Sequence, residues 1–332
     1  MKEMKYKLVV VLIVLLVLSL STAYAGNLLR SGTAGAQELL IPYGSRGTAM
    51  GGSVLSSTSG VEAMYWNPAG LASMEGTELM FTHLPYIADI DMNYVGFAKF
   101  IDGFGTIGAG VKILTIGDME ETTEQYPDGT GRIFSPSMTV LNLSYAKVMT
   151  ANVNFGASAV YIHENIFEAQ ASGVAFDFGF MYDPRWNGLS MGVTIKNYGG
   201  QMQFTGNGFN QTANLTTVRG LGAKFDLPSS INFGMGYNFY NEGLNSAMFT
   251  GAFQSNNFSQ DVWQGGAEYA YDQKYFLRAG YNYSDRENYL YGATFGAGVM
   301  LPVGEMDLSL EYTWTQTEVF ENNQYFTLKA NF

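Results

Sequence analysis

The residues in this sequence most able to do chemistry are three glycines, Gly103, Gly105 and Gly108, whose spacing matches the fingerprint of a dinucleotide-binding loop. That fingerprint requires a helix directly after the loop, because the N-terminus of the helix holds the pyrophosphate. Residues 111–114 instead read Val-Lys-Ile-Leu and continue as a strand. The match therefore predicts no nucleotide, and nothing else in the sequence predicts a cofactor.

The sequence offers equally little for acid–base or nucleophilic catalysis. Its two histidines, His83 and His163, lie on different predicted strands, and the sequence places no serine beside either of them. The absence of cysteine excludes thiolate catalysis, disulfides and zinc sites of the cysteine type. The acidic residues within 117–136 are more typical of a solvated face than of a metal site. We therefore expect a protein that is not an enzyme.

The composition favours a large β protein rich in aromatic residues. The 332 residues include 40 Gly, 22 Tyr and 23 Phe, and only 14% are charged. A net charge of −12 makes nucleic acid an improbable partner, because its phosphates are neutralised by clustered Lys and Arg.

The N-terminus predicts export. Three lysines precede the apolar run 8–20, and Ala23-Tyr24-Ala25 supplies small residues at cleavage spacing, so residues 1–25 are expected to be a signal peptide. A membrane anchor is the alternative, but a spanning helix needs about 20 apolar residues, which is more than this run provides.

From Thr77 onward, segments of about ten residues alternate between apolar and polar positions and are separated by turns, which is the pattern of a transmembrane barrel. Met306, Leu308, Leu310 and Tyr312, for example, point one way from a single strand, with polar residues between them. The spacing predicts fourteen strands, at 77–86, 91–100, 104–116, 137–149, 152–166, 169–182, 188–198, 229–240, 245–256, 262–271, 274–284, 289–301, 305–315 and 322–332.

The fold class expected is thus all-β, a fourteen-stranded antiparallel transmembrane β-barrel over residues 77–332. The even strand number agrees with a barrel whose two ends meet on the periplasmic side. Residues 217–227 resemble a further strand, but this parity assigns them to an external loop. A soluble two-sheet protein also alternates and is the alternative fold.

Residues 26–76 lack sustained alternation and instead carry helix-start signals. Ser59 and Glu62 have capping-box spacing and predict a helix from Gly60, while Asn67 followed by Pro68 predicts a second helical start. We expect this segment to plug the lumen, because fourteen strands enclose more space than their own inward side chains fill. A flexible periplasmic tail is the alternative.

Two charges on neighbouring predicted strands are expected to meet. If residues 272–274 form a three-residue turn, Glu268 lies directly opposite Arg278, with both side chains in the lumen. We expect this pair first to mark the register of the hairpin and second to anchor the plug. Independent solvation of the two charges in a wet lumen is the alternative.

The last strand, 322–332, ends the sequence on a bare aromatic residue. Phe326 and Phe332 lie on its apolar face, and an unpaired strand edge of this kind is an aggregation hazard. Pairing with the first strand would remove that hazard by closing the barrel. Terminal aromatic strands of this form resemble the signal that bacterial outer-membrane barrels present to the barrel assembly machinery.

Several stretches of the sequence, taken together, resemble the PorV/PorQ family of outer-membrane proteins. One of them, 65–72, reads Tyr65-Trp66-Asn67-Pro68-Ala69-Gly70-Leu71-Ala72 and contains the Asn-Pro-Ala element of the FadL superfamily to which that family is similar. The other stretches are 34–40, 44–52, 128–131, 143–146, 196–199, 227–228, 266–269 and 277–281.

The resemblance implies a fourteen-stranded barrel in the outer membrane of a Gram-negative-type bacterium, surrounded by lipid, with Trp66, Asn67, Pro68, Ala69 and Gly70 in the plug. It also implies a component of type IX-like secretion or surface attachment, whose partners would be a secretion translocon and surface-attachment proteins. Passage of a small hydrophobic molecule through a FadL-like channel is the alternative function, and a structural barrel or diffusion pore is a third. The predicted polar lumen suits a plugged scaffold or a water-filled pore better than a carrier of hydrophobic molecules.

Overall fold

A computed structural model describes residues 30, 32–209, 211–213, 216–218, 220–284 and 289–332. The predicted signal peptide lies outside the described residues. The wall of the molecule is made of fourteen strands, numbered here in chain order: β1 Thr77–Pro85, β2 Ile90–Ile101, β3 Gly105–Ile116, β4 Ser137–Thr150, β5 Val153–Ile166, β6 Ala169–Tyr182, β7 Leu189–Gly199, β8 Ser230–Glu242, β9 Asn245–Asn256, β10 Val262–Tyr271, β11 Tyr275–Tyr283, β12 Tyr291–Val303, β13 Met306–Thr317 and β14 Asn323–Asn331.

The strands form a closed antiparallel ring. Each strand pairs with its neighbour in sequence, and β14 pairs with β1. At one rim the amide of Thr77 donates to the carbonyl of Phe332 at 2.8 Å, and the amide of Phe332 donates back at 2.9 Å. No edge is left between the first and last strands, so the predicted fold class is confirmed.

Side chains alternate between the two faces of the wall. On β1, Leu79 and Phe81 are exposed on the outer face, whereas Met80 and Thr82 are buried on the inner face. The same alternation on the other strands surrounds the barrel with apolar and aromatic side chains, as a hydrocarbon environment requires. Among the described residues, no helix is long and apolar enough to cross a bilayer.

Residues 32–76, called here the N-terminal segment, lie inside the ring. Their short helical elements are a 3₁₀ turn at Gln37–Leu40, helix α1 at Ser45–Ala49, helix α2 at Ala63–Trp66 and a second 3₁₀ turn at Pro68–Ser73. Most of their side chains are buried, and they contact inward-facing residues of strands all round the wall.

Close approach of the N-terminal segment depends on glycine in the wall. A Cβ atom at Gly266 would lie 2.6 Å from the carbonyl oxygen of Met50, and one at Gly280 would overlap the backbone nitrogen of Gly51. Nine strands present an inward glycine of this kind to the segment: Gly96, Gly108, Gly156, Gly179, Gly192, Gly234, Gly266, Gly280 and Gly296. These glycines make room for the segment, because a side chain at any of them would occupy its place.

The long connections lie at the rim opposite Thr77 and Phe332. Residues 117–136 contain the two-residue strands Met119–Glu120 and Ile133–Phe134. In the described part of the segment 200–229, the strands Met202–Gln203 and Lys224–Phe225 pair with each other and not with the wall. The described residues of 217–227 therefore contribute no strand to the wall, in agreement with the predicted loop.

The remaining short elements of the described chain also lie in loops. They are the 3₁₀ turns Ile87–Asp89 and Asn207–Phe209 and the strands Thr205–Gly206, Gln211–Ala213 and Thr216–Val218.

One predicted element is wrong in detail. Helix α2 begins at Ala63, three residues after the predicted start at Gly60, and Ser59 forms no capping box with Glu62. The carboxylate of Glu62 instead accepts a hydrogen bond from the amide of Gly47 at 2.6 Å. The spacing predicted that the Glu62 carboxylate would cap the N-terminus of the helix. In the structure this carboxylate is used in a contact outside the helix.

Candidate functional site inside the barrel

Glu268 and Arg278 face each other across the hairpin of β10 and β11. The turn at 272–274 has three residues, so Tyr271 pairs with Tyr275 and Glu268 pairs with Arg278. The Nε of Arg278 donates to Oε2 of Glu268 at 2.6 Å, with both side chains on the inner face. The turn length sets this register, because each residue added to the turn would shift the pairing.

This pair belongs to a larger network that reaches the N-terminal segment. Arg46 of α1 donates through Nε and Nη2 to the two carboxylate oxygens of Glu268, at 2.8 and 2.9 Å. On the other side, Nη1 of Arg278 donates to Glu311 of β13 at 2.9 Å. A forked contact between a guanidinium and a carboxylate fixes both distance and direction, so α1 is oriented as well as attracted.

The network returns to the segment through Lys329 of β14. Its Nζ lies 2.9 Å from Glu311 and 2.8 Å from Glu62, which precedes α2. Three cations and three carboxylates thus alternate in a buried chain whose two ends lie on the N-terminal segment. We call this chain the charge ladder, and its members in order are Arg46, Glu268, Arg278, Glu311, Lys329 and Glu62.

The Trp66–Gly70 motif forms a second attachment, on the opposite wall. Asn67 accepts a hydrogen bond from the amide of Ala69 at 3.1 Å and so caps the turn that Pro68 begins. Its Nδ2 donates to the carbonyls of Leu55 at 2.6 Å and Phe180 at 3.1 Å, which joins two parts of the segment to β6. The motif thus satisfies buried backbone groups that would otherwise lack partners.

The side chains around this cap are buried as well. Trp66 donates through Nε1 to Glu62 at 3.3 Å. Gly70 lies against the carbonyl of Thr58, and Gly156 of the wall leaves space for the backbone of Pro68. Neither Trp66 nor Asn67 is exposed in the way that a flexible tail would require.

Phe326 and Phe332 lie apart from both attachments. Phe326 is exposed on the outer face of β14, and Phe332 is exposed at the rim where the first and last strands meet. Tyr325, next to Phe326, points inward and is buried. The two phenylalanines therefore face the surroundings of the barrel and contribute nothing to its interior.

An aromatic group near β2, β3 and β7 forms a further site, called here the tyrosine site. The ring of Tyr43, from the N-terminal segment, stacks on that of Tyr94 of β2, with centroids 3.7 Å apart and planes 8° from parallel. Tyr65 meets Tyr43 edge to face at 5.2 Å. Nζ of Lys196 lies 3.4 Å from the centroid of Tyr65, and Nζ of Lys112 lies 5.9 Å from that of Tyr43.

Lys112 is buried and donates to two carbonyls of the segment, Glu38 at 2.6 Å and Ile41 at 2.9 Å. The carboxylate oxygens of Glu38 are buried, and the carboxyl group of Glu164 lies close enough to interact with them. Burial raises the pKa of Glu38, since the charged form loses its hydration. Burial, and then the neighbouring Tyr94, raise the pKa of Tyr43 well above its ordinary value.

Apolar side chains fill the lumen between the tyrosine site and the external mouth. Met202 and Leu227 of the segment 200–229 enter from above, and Leu39 of the N-terminal segment meets them. Arg30 pairs with Asp226, which ties the two segments together. We call this group the outer apolar cluster, and its buried members are Ala36, Leu39, Val140, Val160, Ile162, Ala171, Ala175, Met202 and Leu227.

Each of the two histidines lies beside a neutral polar side chain. His163 on β5 lies 3.1 Å from Ser172, a neighbour that the sequence did not indicate. The hydroxyl of Tyr161 also reaches this serine, at 3.5 Å. His83 pairs with Asn93 at 2.9 Å. Within the described ranges, no cluster of three or more His, Cys, Asp or Glu is arranged to hold a metal ion.

Sequence reasoning missed Arg46, Tyr43 and Lys112 as parts of the interior sites. Lys112 gave a signal, because it is a lysine on the inward face of β3 between Gly110 and Leu114. Arg46 and Tyr43 gave none, since no strand period predicts where an irregular segment places its side chains.

A closed ring of fourteen antiparallel strands, apolar outside and filled within, is the architecture of an outer-membrane barrel. This agrees with the location expected from the sequence. Neither a protein-family model nor a curated protein matches the chain.

Solved structures do match, and they define the fold further. The toluene transporter TbuX of Ralstonia pickettii aligns over 88% of this chain and 98% of its own, with a TM-score of 0.53 and 15% identity. The toluene transporter TodX of Pseudomonas putida aligns over 87% and 96%, with a TM-score of 0.53 and 15% identity. A FadL homologue of Pseudomonas aeruginosa aligns over 88% and 99%, with a TM-score of 0.54 and 11% identity. The chain therefore has the fold of FadL-type barrels.

Proposed function

We propose that this chain is a FadL-type channel that passes small hydrophobic molecules across the outer membrane. The observation that carries the proposal is the outer apolar cluster, which lies inside the lumen directly beneath the external segment 200–229. An apolar group inside the mouth of a barrel is where a hydrophobic molecule leaving water would first be held. The fold shared with two toluene transporters agrees with this function.

The polar inward faces, which in the sequence disfavoured a hydrophobic channel, do not weigh against one once their partners are known. Glu268, Arg278, Glu311 and Lys329 are neutralised by one another and by the N-terminal segment. They serve to attach the segment and do not line an open polar pore. A role in type IX-like secretion is supported only by the sequence resemblance.

Uptake of radiolabelled toluene tests the proposal in cells that lack this protein and in cells that regain it. We expect faster uptake with the protein, and a Met202→Glu variant should lose most of the gain, because it puts a charge into the outer apolar cluster. Met119→Glu is the matched control, since Met119 is exposed in another external loop. Equal uptake with and without the protein would contradict the channel function. Loss of surface-attached proteins on deletion would then support a role in secretion.

A further inference from the structure

The first described residues of the chain lie at the rim that carries the long connections. The amide of Gly35 donates to the carbonyl of Asp226 at 3.1 Å, and Ala34 forms a parallel bridge with the same residue. The carboxylate of Asp226 also pairs with Arg30, and both of these side chains are partly exposed. One end of the N-terminal segment is therefore attached to the segment 200–229.

The last residues of the N-terminal segment lie at the opposite rim. The carbonyl of Gly76 accepts a hydrogen bond at 2.8 Å from the amide of Phe100, near the end of β2. The side chain of Asn154, near the first residue of β5, donates to the hydroxyl of Ser73 at 3.2 Å. The segment therefore ends at the rim where β1 begins.

Between the two rims, the segment contacts the wall at successive depths. In the order of the chain, side-chain hydrogen bonds join Ile41 to Lys112, Ser53 to Thr250 and Asn67 to Phe180. Thr250 lies near the middle of β9, whereas Phe180 lies near the end of β6 at the rim where β1 begins. The segment thus runs through the whole height of the lumen and does not turn back at one mouth.

The connections between strands give the orientation of the barrel. The rim at Thr77 carries short turns such as 151–152 and 272–274, whereas the opposite rim carries 117–136 and 200–229. Outer-membrane barrels have short periplasmic turns and longer external loops. The rim at which the chain is attached to residues 200–229 is therefore the external one.

We propose that the N-terminal segment is a strap that crosses the outer membrane inside its own barrel, with Thr33 at the cell surface and Glu75 on the periplasmic side. A plug that filled only the periplasmic half of the lumen would keep both of these residues away from the outside. The strap is instead fixed at both rims, by Asp226 at one and by continuity with β1 at the other. The residues around Thr33 thus belong to the external surface, together with the loops. This inference depends on the orientation of the barrel and not on the molecule that the barrel passes.

Single cysteines in the full-length protein test the strap, because the chain has no cysteine of its own. Thr33→Cys and Glu75→Cys place one thiol near each end of the segment, at exposed positions. Intact cells are treated with a maleimide on a polyethylene glycol chain that is too large to cross the outer membrane, and labelling is measured as a gel shift. We expect Thr33→Cys to be labelled in intact cells, and Glu75→Cys to be labelled only after the outer membrane is permeabilised.

Two exposed residues in connections of the wall serve as matched controls. Glu124→Cys in the external loop 117–136 should be labelled like Thr33→Cys, and Glu305→Cys in the turn between β12 and β13 should be protected like Glu75→Cys. Protection of Thr33→Cys in cells where Glu124→Cys is labelled would overturn the proposal. Labelling of Glu75→Cys where Glu305→Cys stays protected would overturn it as well.

A reversed pattern in the two controls would overturn the orientation of the barrel and the proposal with it. If Thr33→Cys does not assemble into a heat-resistant barrel, Gln37→Cys replaces it, because Gln37 is exposed at the same end of the segment. Labelling of Gln37→Cys in intact cells supports the strap, and its protection overturns the proposal.

Discussion

The N-terminal segment is held in two different ways on the two sides of the lumen. Toward β10–β14 it is attached by the charge ladder, in which each charge has a partner within 3 Å. Toward β2, β3 and β7 it is attached by the tyrosine site, where stacked rings and the two bonds from Lys112 to backbone carbonyls hold it. The first attachment is ionic, and the second is mainly aromatic. The two sides should therefore respond differently to substitution.

The largest expected effect comes from breaking the charge ladder. Arg278→Leu leaves Glu268 and Glu311 buried beside each other with one cation fewer, and breaking a buried ion pair in this way costs about 3–5 kcal/mol. We expect a lower midpoint of heat unfolding in a gel-shift assay. Lys274→Leu is the control, because this lysine pairs with Asp272 in an exposed turn and should change the midpoint little. Equal midpoints for the two variants would show that the ladder contributes no more than a surface pair.

An intermediate effect is expected where glycine admits the N-terminal segment. A Cβ at Gly280 meets fixed backbone of the segment, so Gly280→Ala should destabilise the barrel by about 1–3 kcal/mol. A Cβ at Gly108, on the tyrosine side, would have side-chain atoms of Met64 and Leu71 as its nearest neighbours, with the sulfur of Met64 at 2.5 Å, and this flexible side chain can move. Gly108→Ala should therefore destabilise the barrel less than Gly280→Ala.

Gly265→Ala is the control for both glycine variants, since a Cβ at Gly265 meets nothing within 4 Å. Denaturant unfolding of the three variants gives the order. If Gly108→Ala lowers the free energy of unfolding more than Gly280→Ala does, the expected order of the two sides is wrong.

The smallest effect is expected from Glu38, and it depends on pH. Because burial raises the pKa of Glu38, the folded protein favours the protonated carboxyl over the buried charge. The stability that the protonated Glu38 carboxyl contributes is fully present below the ordinary carboxyl pKa and is lost as pH rises through the folded pKa. Glu38→Gln removes this loss, so the variant should be more stable than the unchanged protein at about pH 8 and equal to it at about pH 4.

Heat-unfolding midpoints across that pH range measure the effect of Glu38→Gln. Lys112 and Glu164 also interact with Glu38, so the matched variant is Glu124→Gln in an exposed loop, for which no pH-dependent gain is expected. A lower midpoint for Glu38→Gln at about pH 8 would mean that the charged carboxylate is stabilised by Lys112.

Much of the wall could be predicted from the sequence, because a strand in lipid follows a strict period of two. The fourteen predicted strands lie within a few residues of the observed ones, and the pairing of Glu268 with Arg278 follows from the length of one turn. The cap formed by Asn67 and Pro68 is equally local. These features depend on residues that are close in the chain.

The interior could not be predicted in the same way, because it is made of contacts between distant residues. Glu62 looked like part of a helix cap, yet it binds Lys329 of the last strand. The pair Glu268 and Arg278 was expected to anchor the plug, but its partner in the segment, Arg46, could not be named from the sequence. Side chains in an irregular segment follow no period, so only their packing decides whether a polar residue faces water or a partner.

The distance in sequence between the N-terminal segment and its partners has a consequence for assembly. Ser45 bonds Thr327 at 2.8 Å, 282 positions further along the chain, and Lys329 reaches back to Glu62. The segment is synthesised first, while these partners are synthesised last. Contacts so far apart in sequence form late, because a long loop has to close before they are gained. A wall that sealed β14 to β1 with the segment still outside would enclose charges without partners, so we expect docking of the segment to accompany closure of the wall.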